Sequence, residues 1–200
     1  MEFKFKLFDL WDVSNIVVND PGLKRYLNLD PRLIPRSCGR LAKKRFAKIK
    51  MHVIERLINM LQVPGHRGKK HRIITRWATG KFNKKMAIVI DVFKKIEAQT
   101  NENPIQVFVR AIENASPCDE ITTIEYGGAR YPVAVDTSPS RRLMLALRHM
   151  VWGAYDNSFN KKQDLVNALA SEIVLASKNS SDSFAIKKRT EIERQADSAR

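Results

Sequence analysis

Residues 119–142 read DEITTIEYGGARYPVAVDTSPSRR, and this stretch decides how the chain is organised. Two alternating, β-prone runs flank Gly127-Gly128, a pattern that predicts a β-hairpin at about residues 120–136. An isolated two-stranded hairpin is only marginally stable in water. Because Ile, Val and Tyr residues make one of its faces apolar, we expect the base to pack against a helix and the tip to project towards a partner.

Helical patterns occur on both sides of the hairpin. Asn103-Pro104 and Ser138-Pro139 each combine an N-cap residue with a proline suited to the first helical turn. Apolar spacing and these cap signals predict helices over the segments 51–61, 83–100, 104–112, 139–154, 165–176 and 183–198. The last helix has few apolar positions, so we expect it to pack only at its base and to project. The sequence therefore predicts a mainly α fold, a small helical bundle with one protruding β-hairpin arm.

The first 50 residues show little periodicity. They contain several residues that interrupt regular structure, namely Pro21, Gly22, Pro31, Pro35 and Gly39. We expect residues 1–50 to form a largely irregular N-terminal extension, with one short helix where Asp20 caps a turn that begins at Pro21. Residues 51–200 are predicted to form the helical bundle domain, with a loop at 64–72.

Charge is distributed very unevenly along the chain. It carries 36 Lys and Arg against 21 Asp and Glu, for a net charge of +15. Residues 31–90 hold 17 basic residues and one acid, Glu55, an excess of +16, whereas residues 91–200 hold 15 of each sign. A segment this basic repels itself in isolation, so an anionic partner is the simplest way to keep it compact. Nucleic acid and membrane surfaces are the candidate partners.

Other features narrow the class of protein. Apolar runs such as 86–90 and 143–147 are five residues long, too short to cross a bilayer, and the charged N-terminus lacks the apolar core of a signal peptide. Cys38 and Cys118 are widely separated, which indicates reduced thiols in a cytoplasmic protein. The histidines form no HExxH pair, the cysteines no CxxC motif, and the Gly-Gly pair no phosphate-binding loop. We expect no enzyme activity, no metal site and no cofactor.

Two clusters of Lys and Arg are the candidate nucleic-acid contacts. The first contains Arg40, Lys43, Lys44, Arg45 and Lys48, with Lys50 at its end, and the second contains Arg67, Lys69, Lys70, Arg72, Arg76, Lys84 and Lys85, with Lys81 among them. Trp77 and Phe82 lie among them and could stack on bases, although an aromatic residue beside a helix more often belongs to the core. A short charge run is usually a solvated face. This run is long and almost free of counter-charge, which favours nucleic acid.

Arg141 and Arg142 fall in the first turn of the helix that Ser138 is expected to cap. The helix macrodipole is positive there and disfavours cations, whereas the free N–H groups at that end favour an anion. A bound phosphate would account for both arginines. The alternative is that both side chains extend into water.

The hairpin tip supplies two more candidates, Arg130 and Tyr131, which are expected to lie beside Tyr126 in a finger that meets RNA or a neighbouring protein. The main alternative for the whole chain is a DNA-binding helical regulator, which requires a helix-turn-helix and usually a dimer seam. The basic residues lie mostly in the arm and loops, and no heptad seam is present. A pure protein-interaction scaffold is less favoured still, because it leaves the basic segment unexplained.

Several stretches carry a resemblance to a known family. They are NPIQVFVRAIENASP (103–117), YGGARYPVAVDTSPSRRLMLALR (126–148), SFAIKKRTEIERQADSAR (183–200), LKRYLNLDP (23–31), GRLAKKRF (39–46), IERLIN (54–59) and GKKHR (68–72). Together they resemble the family of the seventh protein of the small ribosomal subunit, in its archaeal form. The likeness covers nearly the whole chain.

The resemblance implies a bundle of about six helices with a β-ribbon arm, in a structural protein of the small ribosomal subunit in the cytoplasm. It implies binding to the 3′ major (head) domain of small-subunit rRNA, where the family helps to nucleate head assembly. The arm is implied to lie near exit-site tRNA and mRNA and to abut neighbouring small-subunit proteins. Residues carried over to positions near RNA are Lys69, Lys70, Arg130, Arg141 and Arg142. Cys118 stands where the family often has Arg, which could weaken one contact at the hairpin base.

Overall fold

Helices account for most of the regular structure. The computed structural model describes residues 5–41, 43, 45–64, 66–67, 70–71 and 80–200, with only the backbone described at 66–67 and 70–71. The α-helices in this part of the chain are α1 (Pro21–Lys24), α2 (Val53–Gln62), α3 (Phe82–Thr100), α4 (Pro104–Ala115), α5 (Pro139–Ser158), α6 (Leu165–Ser177) and α7 (Phe184–Asp197). A 3₁₀ turn, Ala47–Lys50, precedes α2.

Two antiparallel hairpins complete the described structure. The short one pairs β1 (His66–Arg67) with β2 (Lys70–His71), where the sequence predicted only a loop. The long one pairs β3 (Asp119–Tyr126) with β4 (Ala129–Asp136). The prediction of a mainly α bundle with one protruding β-hairpin arm is confirmed.

Local capping chemistry sets the start of several helices. The Asp20 carboxylate accepts a hydrogen bond of 2.8 Å from the backbone N–H of Gly22, which begins α1 as predicted. The Asn103 side chain accepts one of 3.0 Å from the N–H of Ile105 and begins α4 in the same way. Ser183 caps α7. In each case a polar side chain satisfies an N–H that has no partner inside the helix.

One continuous hydrophobic core joins the long helices. α6 packs against α3, α4 and α5, and α2 packs against α3 and α5. The core side chains Phe93 of α3, Phe108 of α4, Leu147 of α5 and Leu169 of α6 are fully buried. The rings of Phe93 and Phe108 lie 5.8 Å apart between centroids, a distance at which aromatic pairs attract one another.

The N-terminal segment is irregular in its backbone, yet residues 5–29 pack onto the bundle. Five of their apolar side chains join the core, namely Leu7, Trp11, Val13, Leu23 and Leu27. The Trp11 ring meets Phe93 edge-on, with centroids 5.7 Å apart. These burials give the start of the chain a structural role in the bundle that its lack of periodicity did not reveal.

Side chains of α4 hold the extended stretch of this segment in place. Gln106 accepts a hydrogen bond from the N–H of Val17 at 2.9 Å and donates one to its carbonyl at 3.0 Å. Glu113 accepts hydrogen bonds from the N–H groups of Asn19 and Asp20 at 2.6 and 3.0 Å. The segment thus satisfies its backbone through bundle side chains, as a strand would through a neighbouring strand.

The base of the long hairpin rests on α7, the last helix. Arg200 forms an ion pair of 2.5 Å with Asp119, and Glu193 accepts a hydrogen bond of 3.1 Å from the N–H of Cys118. Ala196, near the end of α7, is fully buried. The expectation that a helix supports the hairpin base holds in the structure, but the supporting helix is the one that was expected to project.

The turn of this hairpin depends on its two glycines. Gly127 and Gly128 have φ values of +58° and +82°, a conformation typical of the two-residue turn that matches strand twist. The resulting register places Ile124 opposite Tyr131 and Glu125 opposite Arg130. The outer half of both strands is exposed, so the arm projects beyond the bundle.

Candidate nucleic-acid interface

Four predicted contact residues lie exposed in the loop before α2, which we call the basic loop (residues 36–50). They are Arg40, Lys43, Arg45 and Lys48. Lys44, predicted with them, lies outside the described residues. In the described part of this loop, no Lys or Arg forms an ion pair with a carboxylate. The positive charges therefore face solvent without compensation from the protein.

Buried side chains of α2 fix both ends of the basic loop. Glu55, the single acid of segment 31–90, is 3% exposed and accepts hydrogen bonds from the N–H and the hydroxyl of Ser37 at 2.8 and 2.6 Å. Arg56, also 3% exposed, donates to the carbonyl of Lys48. These contacts shape the loop without neutralising its exposed cations.

Arg56 also adds positive charge behind the loop. Burial lowers the pKa of its guanidinium from the usual value, because desolvation disfavours the charged form. Its Nε and Nη1 atoms are buried and have no hydrogen-bond partner among the described residues. An arginine stays protonated under these conditions, so a cation with incomplete hydrogen bonding lies under a surface that is already basic.

The second basic cluster is described only in part. The backbones of Arg67 and Lys70 face each other across the short β1–β2 hairpin. Predicted contacts Lys69, Arg72 and Arg76, together with Trp77, lie outside the described residues. Phe82 packs partly against the core and lies 5.2 Å from the guanidinium of Arg36, which fits the core alternative given for it.

Lys84 and Lys85 differ sharply in position at the start of α3. Lys84 is exposed, whereas Lys85 is fully buried. Burial, with a contribution from the neighbouring Lys84, lowers the pKa of the Lys85 ammonium. Lys85 does not lie on the surface that an RNA backbone would meet in this conformation, which corrects its assignment as an exposed contact. The charge run gave no sign of this, because consecutive helical residues are rotated by about 100° and therefore point to different faces.

The two arginines at the start of α5 both face carboxylates. Arg142, with a side chain 14% exposed, pairs with Asp20 at 2.8 Å, and Arg141, 58% exposed, pairs with Glu120 at 2.5 Å. Ser138 occupies the N-cap position and Pro139 begins the helix, as predicted, but the Ser138 side chain makes no cap hydrogen bond. Protein carboxylates here supply the anions that the sequence argument assigned to a phosphate. Arg141 keeps an exposed side chain that an RNA phosphate could reach.

The hairpin tip separates residues that were expected to lie together. Tyr126 and Tyr131 share one face and are 81% and 55% exposed, and Ile124 on that face is 51% exposed. Arg130 lies on the opposite face, where it pairs with Glu125 at 3.5 Å. The alternation of strand side chains causes this separation. The arm thus presents an aromatic, apolar face and a polar face to two different directions.

The structure adds Arg25 to the basic residues of the sequence clusters and places it beside Lys50, the last residue of the first cluster. Arg25 and Lys50 line a groove together with Arg40 and Arg45 of the basic loop. Arg25 follows α1, 15 residues before the first cluster, so only the folding of the N-terminal segment brings it there. Lys50 could be found from the sequence, because it is the last residue of the first basic run.

The described chain offers no competing chemical centre. No group of three or more His, Cys, Asp or Glu side chains in the described ranges is arranged to hold a metal ion. No helix of the described structure combines the length and apolar character needed to cross a bilayer. Exposed, unneutralised cations on a loop of fixed shape are instead suited to binding a polyanion.

Comparison with known proteins agrees with this geometry. The family model described as Ribosomal protein S7p/S5e matches residues 23–200. The small ribosomal subunit protein uS7 of Nanoarchaeum equitans is 54% identical over 197 residues, covering 98% of this chain and all of the relative. The proteins of the same name from Methanosphaera stadtmanae and Methanococcus vannielii are 43% and 44% identical, covering 98% and 100% of this chain and 98% and 97% of the relatives.

These matches span almost the full length of both partners, and the three relatives are archaeal, which confirms the resemblance found in the sequence motifs. The chain belongs to the Ribosomal protein S7p/S5e family.

Proposed function

We propose that this chain binds the 3′ major (head) domain of small-subunit rRNA, helps to nucleate assembly of the head, and lies near the path of exit-site tRNA and mRNA. Family membership supports the broader part of this statement: the chain is a structural ribosomal protein of the small subunit in the cytoplasm, not an enzyme. The specific rRNA domain and the exit-site neighbourhood are our proposal.

One observation carries the rRNA proposal: buried side chains hold the basic loop in place, while its exposed cations have no carboxylate partners in the described structure. Residues 31–90 hold an excess of +16, and the described cations of the basic loop have no carboxylate partners. The loop is held from inside by Glu55 and Arg56. Phosphate neutralisation then supplies affinity, and the fixed shape selects folded rRNA junctions through their geometry and unstacked bases.

The long hairpin is suited to a different task in the same assembly. Its exposed face with Ile124, Tyr126 and Tyr131 is apolar and aromatic, which fits a neighbouring ribosomal protein or stacked bases of tRNA or mRNA. The opposite face, with Arg130 paired to Glu125, retains little net charge for phosphates. We therefore assign rRNA affinity to the basic segment and neighbour contacts to the arm.

Salt dependence of binding tests the electrostatic part. If about six to ten phosphates are neutralised, log K against log[salt] for a head-domain rRNA transcript should have a slope of roughly −4 to −9. Filter-binding titrations between low and physiological salt measure it directly. A slope near zero would remove the proposed electrostatic mechanism.

A matched pair of charge variants tests the location of the contacts. Replacing Arg40, Lys43, Arg45 and Lys48 by Gln removes four charges from the basic loop. Replacing the exposed Lys161, Lys162, Lys178 and Lys187 by Gln removes four charges from the neutral half. The first variant should make the salt slope shallower by roughly 3, at about 0.7–0.9 per phosphate lost, and the second should leave it nearly unchanged. Equal loss in both variants would show that the basic loop has no special role.

Shortening the hairpin tests the division of roles. Deleting Glu125, Tyr126, Ala129 and Arg130 while keeping Gly127-Gly128 as the turn preserves the register of the base, in which Ile124 faces Tyr131. This deletion should leave affinity for the rRNA transcript within about twofold, because the basic segment is untouched. The same deletion should weaken incorporation of tRNA or of adjacent proteins into reconstituted subunits. A loss of rRNA affinity equal to that of the basic-loop variant would contradict the division.

Competition separates this function from a DNA-binding regulator. At the same salt concentration, the head-domain transcript should displace the protein from a DNA duplex of equal length, because the proposed selection depends on folded RNA shape. Preference for the duplex would favour the regulator instead.

A further inference from the structure

A groove lies between the N-terminal segment and the basic loop. It has a volume of about 910 Å³, within the range of roughly 300–1,000 Å³ found for ligand clefts. Apolar side chains such as Leu29, Leu41 and Ile49 contribute to its wall, and its rim is basic. A groove with an apolar wall and a cationic rim matches a ligand that joins a flat, weakly polar part to a phosphate.

Phe46 is the most unusual residue of this groove. Its side chain is 73% exposed, and its backbone has φ of +59°, a conformation that a bulky residue rarely adopts. Burial does not explain the presence of Phe at such a position, where Asn or Gly would be less strained. The guanidinium of Arg45 lies 5.3 Å from the ring centroid. Arg45 thus supports the aromatic ring and leaves a large part of it accessible.

The charges around the groove select the sign of the ligand. Arg25, Arg40, Arg45 and Lys50 are exposed and line it. Asp30 is the one acid among the described lining residues, and it pairs at 3.3 Å with Arg32, which does not line the groove. The groove therefore carries a strong positive excess, which is complementary to a phosphate backbone and repels cationic ligands.

We propose that this groove binds one unstacked nucleotide of an RNA strand, with the base stacked on Phe46 and the adjacent phosphates held by Arg25, Arg40 and Lys50. The inference rests on the proposed RNA-binding function and extends it, because it names a base-recognition point inside a surface otherwise argued from charge alone. An aromatic platform accepts any base through its π-face, so the site adds affinity for single-stranded RNA with little sequence preference.

The test uses the full chain and two RNA probes of six nucleotides, oligoadenylate and an abasic ribose-phosphate strand of the same length. Phe46→Asn removes the aromatic ring and introduces a residue type that tolerates the left-handed backbone conformation. Phe46→Tyr keeps an aromatic ring. Phe5→Asn is the matched control, since Phe5 is also exposed, at 57%, and lies outside the groove. Affinity is measured by fluorescence anisotropy over a series of salt concentrations, and thermal melting checks that each variant is folded.

Phe46→Asn should weaken oligoadenylate binding about 5- to 100-fold, with the abasic strand unaffected and the salt slope unchanged. Phe46→Tyr and Phe5→Asn should bind like the parent chain. Equal effects of Phe46→Asn and Phe5→Asn, or an equal loss on the abasic strand, would overturn the proposal. If the parent chain binds head-domain rRNA with a steep salt slope while Phe46→Asn has no effect, only this inference fails. If the parent chain binds neither RNA, the proposed function fails as well.

Discussion

His52 should make the stability of the protein depend on pH between about 4 and 6.5. The imidazole is fully buried at the start of α2, where its Nδ1 accepts a hydrogen bond of 3.3 Å from the N–H of Ile54. Desolvation by burial, with a smaller contribution from Arg32, lowers the pKa of His52 from 6.5 to about 4, and Asp30 opposes this only in part. The folded protein therefore keeps His52 neutral at pH values where the unfolded chain protonates it.

The sign and size follow from proton linkage. Because the unfolded chain binds the proton first as pH falls below 6.5, the stability supplied by neutral His52 is present above that pH. It declines towards pH 4 and is fully lost below it. At about 1.4 kcal/mol per pH unit the total is roughly 3 kcal/mol, of which about 2 kcal/mol is lost between pH 7.5 and pH 5. His52 also pairs by its backbone with Asn28, so protonation should loosen the N-terminal segment as well as α2.

The assay compares the parent chain with His52→Asn. Asn can accept the same hydrogen bond at the N-cap and does not titrate. Urea unfolding at pH 7.5 and at pH 5 gives, for each protein, the unfolding free energy that is lost between the two pH values. Subtracting the variant's loss from the parent's removes the contribution of the carboxylates, which both proteins share. The parent should lose about 2 kcal/mol more than the variant. Equal losses, or an NMR titration of His52 with a midpoint near 6.5, would refute the reasoning.

Three further predictions concern packing in the bundle, the ion pairs at the start of α5 and the anchoring of the basic loop. Gly153→Ala should destabilise the fold by about 1–3 kcal/mol in urea, despite the better helix propensity of Ala, because the added Cβ would lie 2.7 Å from Cβ of Phe184; a more stable variant would contradict the close packing. Arg142→Gln should cost more than Arg141→Gln, roughly 1–3 against less than 1 kcal/mol, because only the first ion pair is largely shielded from solvent; the reverse order in urea melts would refute this. Glu55→Ala removes two charge-assisted hydrogen bonds of about 1.5–3 kcal/mol each and should make trypsin cut the basic loop at least tenfold faster; an unchanged digestion rate would show that the loop is held in another way.

The sequence was sufficient for the elements whose signals are local. The long hairpin follows from alternation around Gly127-Gly128, whose positive φ values only glycine adopts readily. The start of α4 follows from Asn103, because its cap bond spans two residues. Local chemistry of this kind needs no knowledge of the rest of the chain, so it can be read directly from the order of residues.

Contacts between distant segments could not be predicted in this way. Arg142 and Asp20 are 122 positions apart, and the sequence argument supplied a phosphate where the fold supplies a carboxylate. The backbone of the N-terminal segment forms hydrogen bonds with the side chain of Gln106 in α4. A contact between a backbone group and a single polar side chain produces no hydrophobic periodicity in the sequence of either segment. The division at residue 50 between extension and bundle stays a prediction, while the packing of residues 5–29 ties the two parts together.

Helix α7 illustrates a related limit. Its few large apolar residues suggested weak packing, yet Ala185 and Ala196 are fully buried. Small residues bury little area, but they let the helix approach its neighbours closely, and here one neighbour is the hairpin base. Apolar content alone therefore underestimated how much of the helix is in contact.

The placement of acids explains why the basic loop remains available to a partner. In the ion pairs of the described residues, carboxylates of the neutral half and of the first 30 residues meet arginines such as Arg141 and Arg200. The single acid within segment 31–90, Glu55, is buried, and its carboxylate accepts hydrogen bonds from Ser37. Had that carboxylate reached the surface, it would have neutralised part of the charge that rRNA phosphates are proposed to neutralise. Keeping it buried leaves the exposed cations of the described loop without an ion-pair partner, so they remain accessible to phosphates. Loop shape and surface charge can then be perturbed by different substitutions, Glu55→Ala for the first, which also raises the net charge by one, and the basic-loop glutamines for the second.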